Sequence, residues 1–262
     1  MKVKEALFDS FKMLKEKPKF ILPMIVLTIL STSMTGLYIA AGILITGGAP
    51  SEDVVAPPGW YWPSILTLMI IVVVVGIPLG GMYPSMVRAH IEKKELNFKD
   101  SFRFSFHKFW SLLGAILLGG LIISVIASVV LFVVTFPLGL LNVPTTAIIE
   151  VIVKVLGALL IPIFFYYIPS VIIMDDLKAV AGFKKSLEAG KKNYLFTFLI
   201  YLVPALIGFA IYRLLIWLPA YLELGISYAL ALLIPYAIIT LFISTWGIII
   251  PSYAYYGLRA NR

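Results

Sequence analysis

Six long apolar stretches constrain the fold of this 262-residue chain more than any other feature. A membrane-spanning helix needs roughly 20 apolar residues to cross about 30 Å of hydrocarbon, and each stretch is long enough. The composition agrees, because 61% of the residues are hydrophobic and 13% are charged, whereas soluble domains have about 45–50% and about 25%. The predicted spans are approximately Phe20–Thr46, Ser64–Val87, Leu112–Phe136, Thr146–Met174, Leu195–Leu218 and Tyr228–Tyr253.

Lysine and arginine are concentrated in the segments on one side of these spans. They number six in residues 1–19, six in 88–108, five in 178–192 and two in 259–262. The three connections on the other side contain none. Because basic loops remain in the cytoplasm, this asymmetry predicts a multi-pass protein of the cell membrane with both termini in the cytoplasm.

Two sets of sequence markers recur along the chain. Ser10, Ser101 and Ser186 precede the odd-numbered spans and are 91 and 85 residues apart. A Pro-Ser pair ends each even-numbered span, and the prolines, Pro84, Pro169 and Pro251, are 85 and 82 residues apart. The pattern predicts an all-α integral membrane fold. Its six transmembrane helices form three repeats of an interfacial helix plus a helical hairpin, at about 1–90, 91–176 and 177–262, within one transmembrane domain over 1–262.

The short basic segments are predicted to be amphipathic helices. Val3, Leu7, Phe11 and Leu14 fall on one helical face of the first segment, and Phe98, Phe102, Phe106 and Phe109 repeat this stripe in the second. Such a helix lies in the headgroup plane, where its lysines favour anionic lipid. Alternatively, the stripe packs on the ends of the spans, and both uses are compatible.

Four charged residues lie within or beside spans on the predicted outer half of the membrane, and they form a candidate polar cluster. Glu150 and Lys154 are one helical turn apart in the fourth span, Arg213 lies near the outer end of the fifth, and Glu223 follows it. A charge in hydrocarbon needs a partner or a wet cavity. The cluster therefore predicts either an outward-facing cavity or a structural ion pair with Arg213 reaching the headgroups.

Several other residues have side chains or backbone properties that suit a functional or structural role. Pro84, Pro169 and Pro251 are candidate helix kinks, and the adjacent serine hydroxyls are expected to satisfy the carbonyls that the prolines free. Asp175 and Asp176 form either an acid/base or cation-binding pair or, more simply, a solvated helix end. The chain has no cysteine and no nucleotide-binding, hydrolase or zinc-protease motif. We expect no catalytic residue, cofactor or metal site.

One segment, which runs from the end of the second unit into the third, carries a family resemblance. It contains Tyr166–Ser170, an acidic turn, and then Ala181 to Tyr194, with Ser186, Leu187, Lys191 and Asn193 at defined spacing. This resembles the aliphatic-Pro, acidic-turn, A-x-x-x-S-W-x-x-x-K-x-N pattern of the YciC-like family and of the membrane domain of some glycerophosphodiester phosphodiesterases, with Leu187 in place of the tryptophan. The resemblance implies an integral membrane protein and no functional residues.

Three functions are compatible with these features. The first is a non-enzymatic membrane protein that organises or senses the membrane through its cytoplasmic amphipathic helices, with anionic lipid headgroups as partners. The second is a transporter or scramblase for a lipid or small amphiphile. The third is a subunit that binds a membrane-protein partner. Because the basic residues flank apolar spans, no nucleic-acid partner is expected.

Overall fold

Helices account for the regular secondary structure of the described part of the chain. The computed structural model describes residues 2–33, 59, 61–140, 146–217 and 226–260, and these contain no strand. A short 3₁₀ helix, Pro18–Ile21, follows the first helix, and a π-helical turn, Arg213–Trp217, follows the ninth. The helices are α1 (Val3–Glu16), α2 (residues 22–33), α3 (Tyr61–Ile91), α4 (Phe98–His107), α5 (Phe109–Leu140), α6 (Thr146–Phe164), α7 (Ile168–Met174), α8 (Ala179–Lys192), α9 (Tyr194–Tyr212) and α10 (Ile226–Ala260).

Four helices of the described residues are long and apolar enough to cross a membrane. They are Trp62–Ile91, Phe109–Phe136, Tyr194–Leu215 and Ile234–Ala260, and they correspond to the second, third, fifth and sixth predicted spans. The first predicted span is described only as far as residue 33. The fourth is divided between α6 and α7, so the continuous helix expected over Thr146–Met174 is wrong.

The break between α6 and α7 has a local cause. Pro169 has no N–H to donate to the carbonyl of Phe165. The amide of Ile168 instead donates to the Phe165 carbonyl at 3.2 Å. Pro169 therefore lies in the first turn of a new helix, which begins at Ile168, rather than bending a continuous one. Pro84 and Pro251 lie inside α3 and α10, which continue past them.

The face of α5 shows why these helices require an apolar solvent. Six large side chains recur along it at intervals of three or four residues and are all exposed. Exposing a side chain of this size to water costs roughly 1.5–3 kcal/mol, so the six together would cost about as much as the 5–15 kcal/mol that stabilises a typical domain. This face suits lipid. The six residues are Leu117, Leu121, Val125, Val129, Phe132 and Phe136.

The buried core lies at one end of the bundle, which we call the basic end because α1, α4 and α8 lie there. Tyr83 of α3, Val171 of α7 and Ile250 of α10 are fully buried in one cluster with Leu14 of α1. Phe11 packs edge-on against Phe242 and Trp246 of α10. The apolar stripe of α1 thus packs on the spans, which is one of its two predicted uses.

Glycines let the short helices approach the spans closely. A Cβ on Gly81 of α3 would lie 2.2 Å from Ser105 Oγ of α4. On Gly182 of α8 it would lie 2.4 Å from Ile172 of α7. The neighbouring Gly80 has open space instead. Small residues therefore bring α4 onto α3 and α8 onto α7.

Candidate functional site at the basic end

Buried serines link the short helices to the long ones. Ser10 of α1 accepts a hydrogen bond from Trp246 Nε1 at 3.0 Å, and Ser101 of α4 accepts one from Ser85 of α3 at 3.3 Å. Ser170 donates to Ser252 at 3.2 Å. The hydroxyls of Ser85 and Ser170 thus pair with other serines, so the expectation that they satisfy proline-freed carbonyls is wrong. The two sets of sequence markers meet at this end of the bundle.

Asp175 joins three helices beside these serines. It lies directly after α7, and its carboxylate accepts a hydrogen bond from the hydroxyl of Tyr255 of α10. Lys185 Nζ of α8 is 2.7 Å from Asp175 Oδ2, and Arg259 Nε of α10 is 3.3 Å from Oδ1. The Asp175 side chain is only 6% exposed. It is therefore not the solvated helix end that the sequence favoured.

The balance of charges keeps Asp175 ionised. Partial burial by itself raises the pKa of the Asp175 carboxyl. The hydrogen bonds from Lys185 and Tyr255, together with the positive charges of Lys185 and Arg259, outweigh burial, so the pKa lies below its ordinary value. At neutral pH the carboxylate therefore carries a full negative charge between two cations.

Asp176, the other member of the predicted carboxylate pair, has a different partner. Its Oδ1 is 2.5 Å from Lys108 Nζ, which is 14% exposed. Asp176 adopts left-handed backbone, with φ of 54°, and the amide of Leu177 bonds back to the carbonyl of Ile172 at 3.1 Å. This is the Schellman pattern of a helix end. The two carboxylates thus bind separate cations, and this arrangement gives no support to a shared cation site.

A cavity of about 250 Å³ lies beside Asp175. Two lysines, one arginine and an asparagine amide lie in its wall, and these groups donate hydrogen bonds to phosphate oxygens. The tyrosine hydroxyl in the wall donates its proton to Asp175. Three cations stand here against the single carboxylate of Asp175. The polar lining residues are Lys185, Lys192, Asn193, Tyr255 and Arg259. The arrangement is chemically suited to an anion, and we call it the Lys192 cavity.

A second basic cavity of about 780 Å³ lies between the ends of α1 and α3. Lys17, Lys19, Lys93 and Lys94 line it together with Glu16 and Glu95. Next to it, Glu92 accepts hydrogen bonds from Lys94 at 2.6 Å and Arg88 at 2.8 Å, which lower its pKa to about 2. Positive charge thus surrounds two separate openings at the basic end.

The predicted polar cluster is described only in part. The backbones of Glu150 and Lys154 belong to α6, but their side chains and all of Glu223 lie outside the described residues. Arg213 begins the π-helical turn after α9, and its guanidinium lies 5.2 Å from the ring centre of Phe209. A cavity shared by these four residues stays a prediction.

Sequence reasoning missed the residues of the Lys192 cavity. Lys192 and Asn193 stand within the motif that carries the family resemblance, and that spacing was the one available signal. In the sequence, Arg259 and Lys185 contributed only to the charge asymmetry that predicts the orientation in the membrane. Their convergence on Asp175 depends on how α7, α8 and α10 pack, which the motif does not encode.

Comparisons with known proteins identify a family but no function. No curated protein and no solved structure matches the chain. The resemblance to the YciC-like family and to the phosphodiesterase membrane domain stays a prediction. One family model matches residues 1–249, nearly the whole chain, under the description "Domain of unknown function (DUF7847)". The chain therefore belongs to the DUF7847 family, whose function is unknown.

Proposed function

We propose that this chain is a non-enzymatic, multi-pass protein of the cell membrane that binds anionic lipid headgroups with its basic end, which faces the cytoplasm. In this proposal it crosses the bilayer six times, in three units of a short basic helix and a helical hairpin. By holding lipid at its basic end it organises or senses the cytoplasmic leaflet.

Helix packing supports the three-unit arrangement. α4 packs on α3 and α8 packs on α7, so each short helix contacts the helix that ends the preceding unit. α1 packs on α10 in the same manner, which would close the three units into a ring. Two of the serine contacts, Trp246 to Ser10 and Ser85 to Ser101, lie along these interfaces, whereas Ser170 and Ser252 join α7 to α10. An evolutionary triplication would explain why a marker serine occupies both the α1–α10 and the α3–α4 interface.

The Lys192 cavity is the observation that carries the lipid-binding proposal. Each lysine or arginine near an anionic membrane surface contributes about 1 kcal/mol of attraction, but a surface charge alone holds no particular headgroup. Here Lys185, Lys192 and Arg259 surround one opening at the level where α8 and α10 end. Asn193 adds an amide N–H donor. A phosphodiester headgroup matches this combination of charge and donors.

Adjacent lysines offer a matched test of this proposal. Both lysines are exposed, but Lys192 lines the cavity and Lys191 does not. The purified protein, in detergent or in phosphatidylcholine nanodiscs, would be titrated with phosphatidylglycerol and binding measured by native mass spectrometry. We expect Lys192→Gln to weaken phosphatidylglycerol binding about fivefold, corresponding to about 1 kcal/mol, and Lys191→Gln to weaken it less than twofold.

Two results would contradict the proposal. Equal losses in Lys192→Gln and Lys191→Gln would indicate diffuse surface attraction rather than binding in the cavity. If the unmodified protein retained phosphatidylglycerol and phosphatidylcholine equally, it would have no preference for anionic lipid. Thermal unfolding of both variants provides the control for folding.

A further inference from the structure

A separate cavity lies between α9 and α10, within the segments apolar enough to span a membrane. Its volume is about 420 Å³. It begins near Tyr201, about 10 Å along α9 from Tyr194 at 1.5 Å per residue. Ala205 lines it and is itself exposed, so the cavity opens at the surface of the bundle. A ligand could enter it directly from lipid.

Small residues create this space. Pro204, Ala205 and Gly208 of α9 face Gly247 of α10 across it. A Cβ added to Gly208 would meet no atom within 4 Å, and one added to Gly247 would meet only Pro204, at 3.9 Å. The glycines are therefore not needed for close helix packing here, unlike Gly81. They leave a volume that larger side chains would fill.

The dimensions of the cavity match a single hydrocarbon chain. Its lining on α9 runs from Tyr201 to Ile211, which is about 15 Å of helix. Dividing the volume by this length gives a cross-section of about 28 Å². One extended chain fills such a cross-section, and the cavity has no room for a second chain beside it.

The polar groups in the wall are all uncharged. Tyr201, Tyr236, Thr240 and Ser244 contribute hydroxyls, and none of the described residues that line the cavity is charged. Tyr166 donates to the carbonyl of Ile200 at 3.2 Å, a carbonyl that Pro204 leaves without its helical donor. A charged ligand would be buried here without a partner, which costs several kcal/mol. A neutral ligand with hydroxyl groups has partners for its oxygens.

We propose that this cavity binds an uncharged single-chain lipid that carries hydroxyl groups, such as a long-chain alcohol or a monoacylglycerol. The site is independent of the Lys192 cavity in position, in charge and in ligand class. Apolar pockets of this size with a few polar groups are typical small-molecule sites. The chain of the ligand lies between α9 and α10 and its hydroxyl bonds to Thr240, Ser244 or a tyrosine.

Photolabelling tests the proposal. The full-length protein in phosphatidylcholine nanodiscs would be labelled with a photoreactive long-chain alcohol, and the adducts mapped by mass spectrometry. We expect adducts within residues 201–211 and 236–247. Gly208→Leu fills the cavity and should reduce them at least fivefold. Gly120→Leu is the matched control, because a Cβ added to Gly120 of α5 also meets no atom within 4 Å and Gly120 does not line the cavity.

A second variant tests the hydrogen bonds without altering the shape. Thr240→Val combined with Ser244→Ala should reduce labelling by the alcohol about threefold or more and leave labelling by a chain-matched alkane probe unchanged. Labelling of Gly208→Leu equal to that of the unmodified protein would overturn the site. Equal labelling of these segments by the corresponding fatty acid, ionised at pH 8, would overturn the neutral ligand class.

Discussion

At the residue scale, the Asp175 carboxylate is the point where side chains from three helices meet. It contacts Tyr255, Lys185 and Arg259, which come from two other helices. Lys185 and Arg259 are partly exposed, so solvent screens their ion pairs. The Asp175 carboxylate is nearly buried. Removing it would leave Lys185, Arg259 and the Tyr255 hydroxyl without this shared acceptor.

The effect of Asp175 on stability should depend on pH. We expect Asp175→Asn to lower the free energy of unfolding at pH 7 by about 1–3 kcal/mol. Because the folded-state pKa of Asp175 is lowered, its contribution is complete above the ordinary aspartate pKa of about 3.9 and is lost as pH falls through the folded value. Thermal unfolding in detergent between pH 7 and pH 3 measures this.

The stability difference between Asp175→Asn and the unmodified protein should therefore narrow below about pH 4. Glu188→Gln is the control, because Glu188 is an exposed acid on α8. If the stability difference between Asp175→Asn and the unmodified protein stayed constant down to pH 3, the charge of the Asp175 carboxylate would contribute nothing to the free energy of unfolding. Only the shape of the side chain would then matter.

At the element scale, the junction of α3 and α4 depends on a residue without a side chain. A Cβ at Gly81 would collide with Ser105 Oγ and would lie 2.8 Å from Leu112. Ser105 cannot move freely, since its hydroxyl donates to the Pro78 carbonyl at 2.7 Å. We expect Gly81→Ala to destabilise the protein by about 1–3 kcal/mol, the usual cost of overpacking.

Gly80→Ala is the matched comparison for Gly81→Ala. Gly80 is on the same helix and a Cβ there meets nothing within 4 Å, so alanine should be neutral or stabilise by up to about 1 kcal/mol through helix propensity. Unfolding midpoints of the two variants in one detergent provide the measurement. If Gly80→Ala and Gly81→Ala lowered stability equally, close packing of α4 on α3 would not be the reason for the glycine.

Sequence patterns predicted elements better than contacts between them. Hydropathy predicted the positions of α3, α5, α9 and α10, and the majority of their ends agree with the prediction to within a few residues. The apolar stripe of α1 predicted a short helix. The break at Phe165, between α6 and α7, was missed because an apolar segment that contains two prolines, Pro162 and Pro169, can form either one kinked helix or two separate helices. Lys191 and Lys192 are chemically identical in the sequence, and only the packing of α8 beside α10 assigns the cavity to Lys192.

At the scale of the whole molecule, the orientation proposed above follows from the distribution of charge. Moving the basic end through hydrocarbon would require many lysines to lose their hydration, at a cost of at least about 2.5 kcal/mol for each centrally placed charge. We therefore expect the basic end to stay in the compartment where the chain is made. The lipid-binding proposal needs this orientation, because anionic lipid provides the attraction in the cytoplasmic leaflet.

Single cysteines test this orientation cleanly, since the chain contains none of its own. Glu95→Cys places a thiol at the exposed turn after α3, and Glu52→Cys places one in the first connection that the sequence predicts to be outside. A membrane-impermeant maleimide should label Glu52→Cys in intact cells and Glu95→Cys only after permeabilisation. Labelling of both from the same side would mean that α3 does not cross the bilayer. The three-unit arrangement would then fail, because it requires every hairpin to return to the basic end.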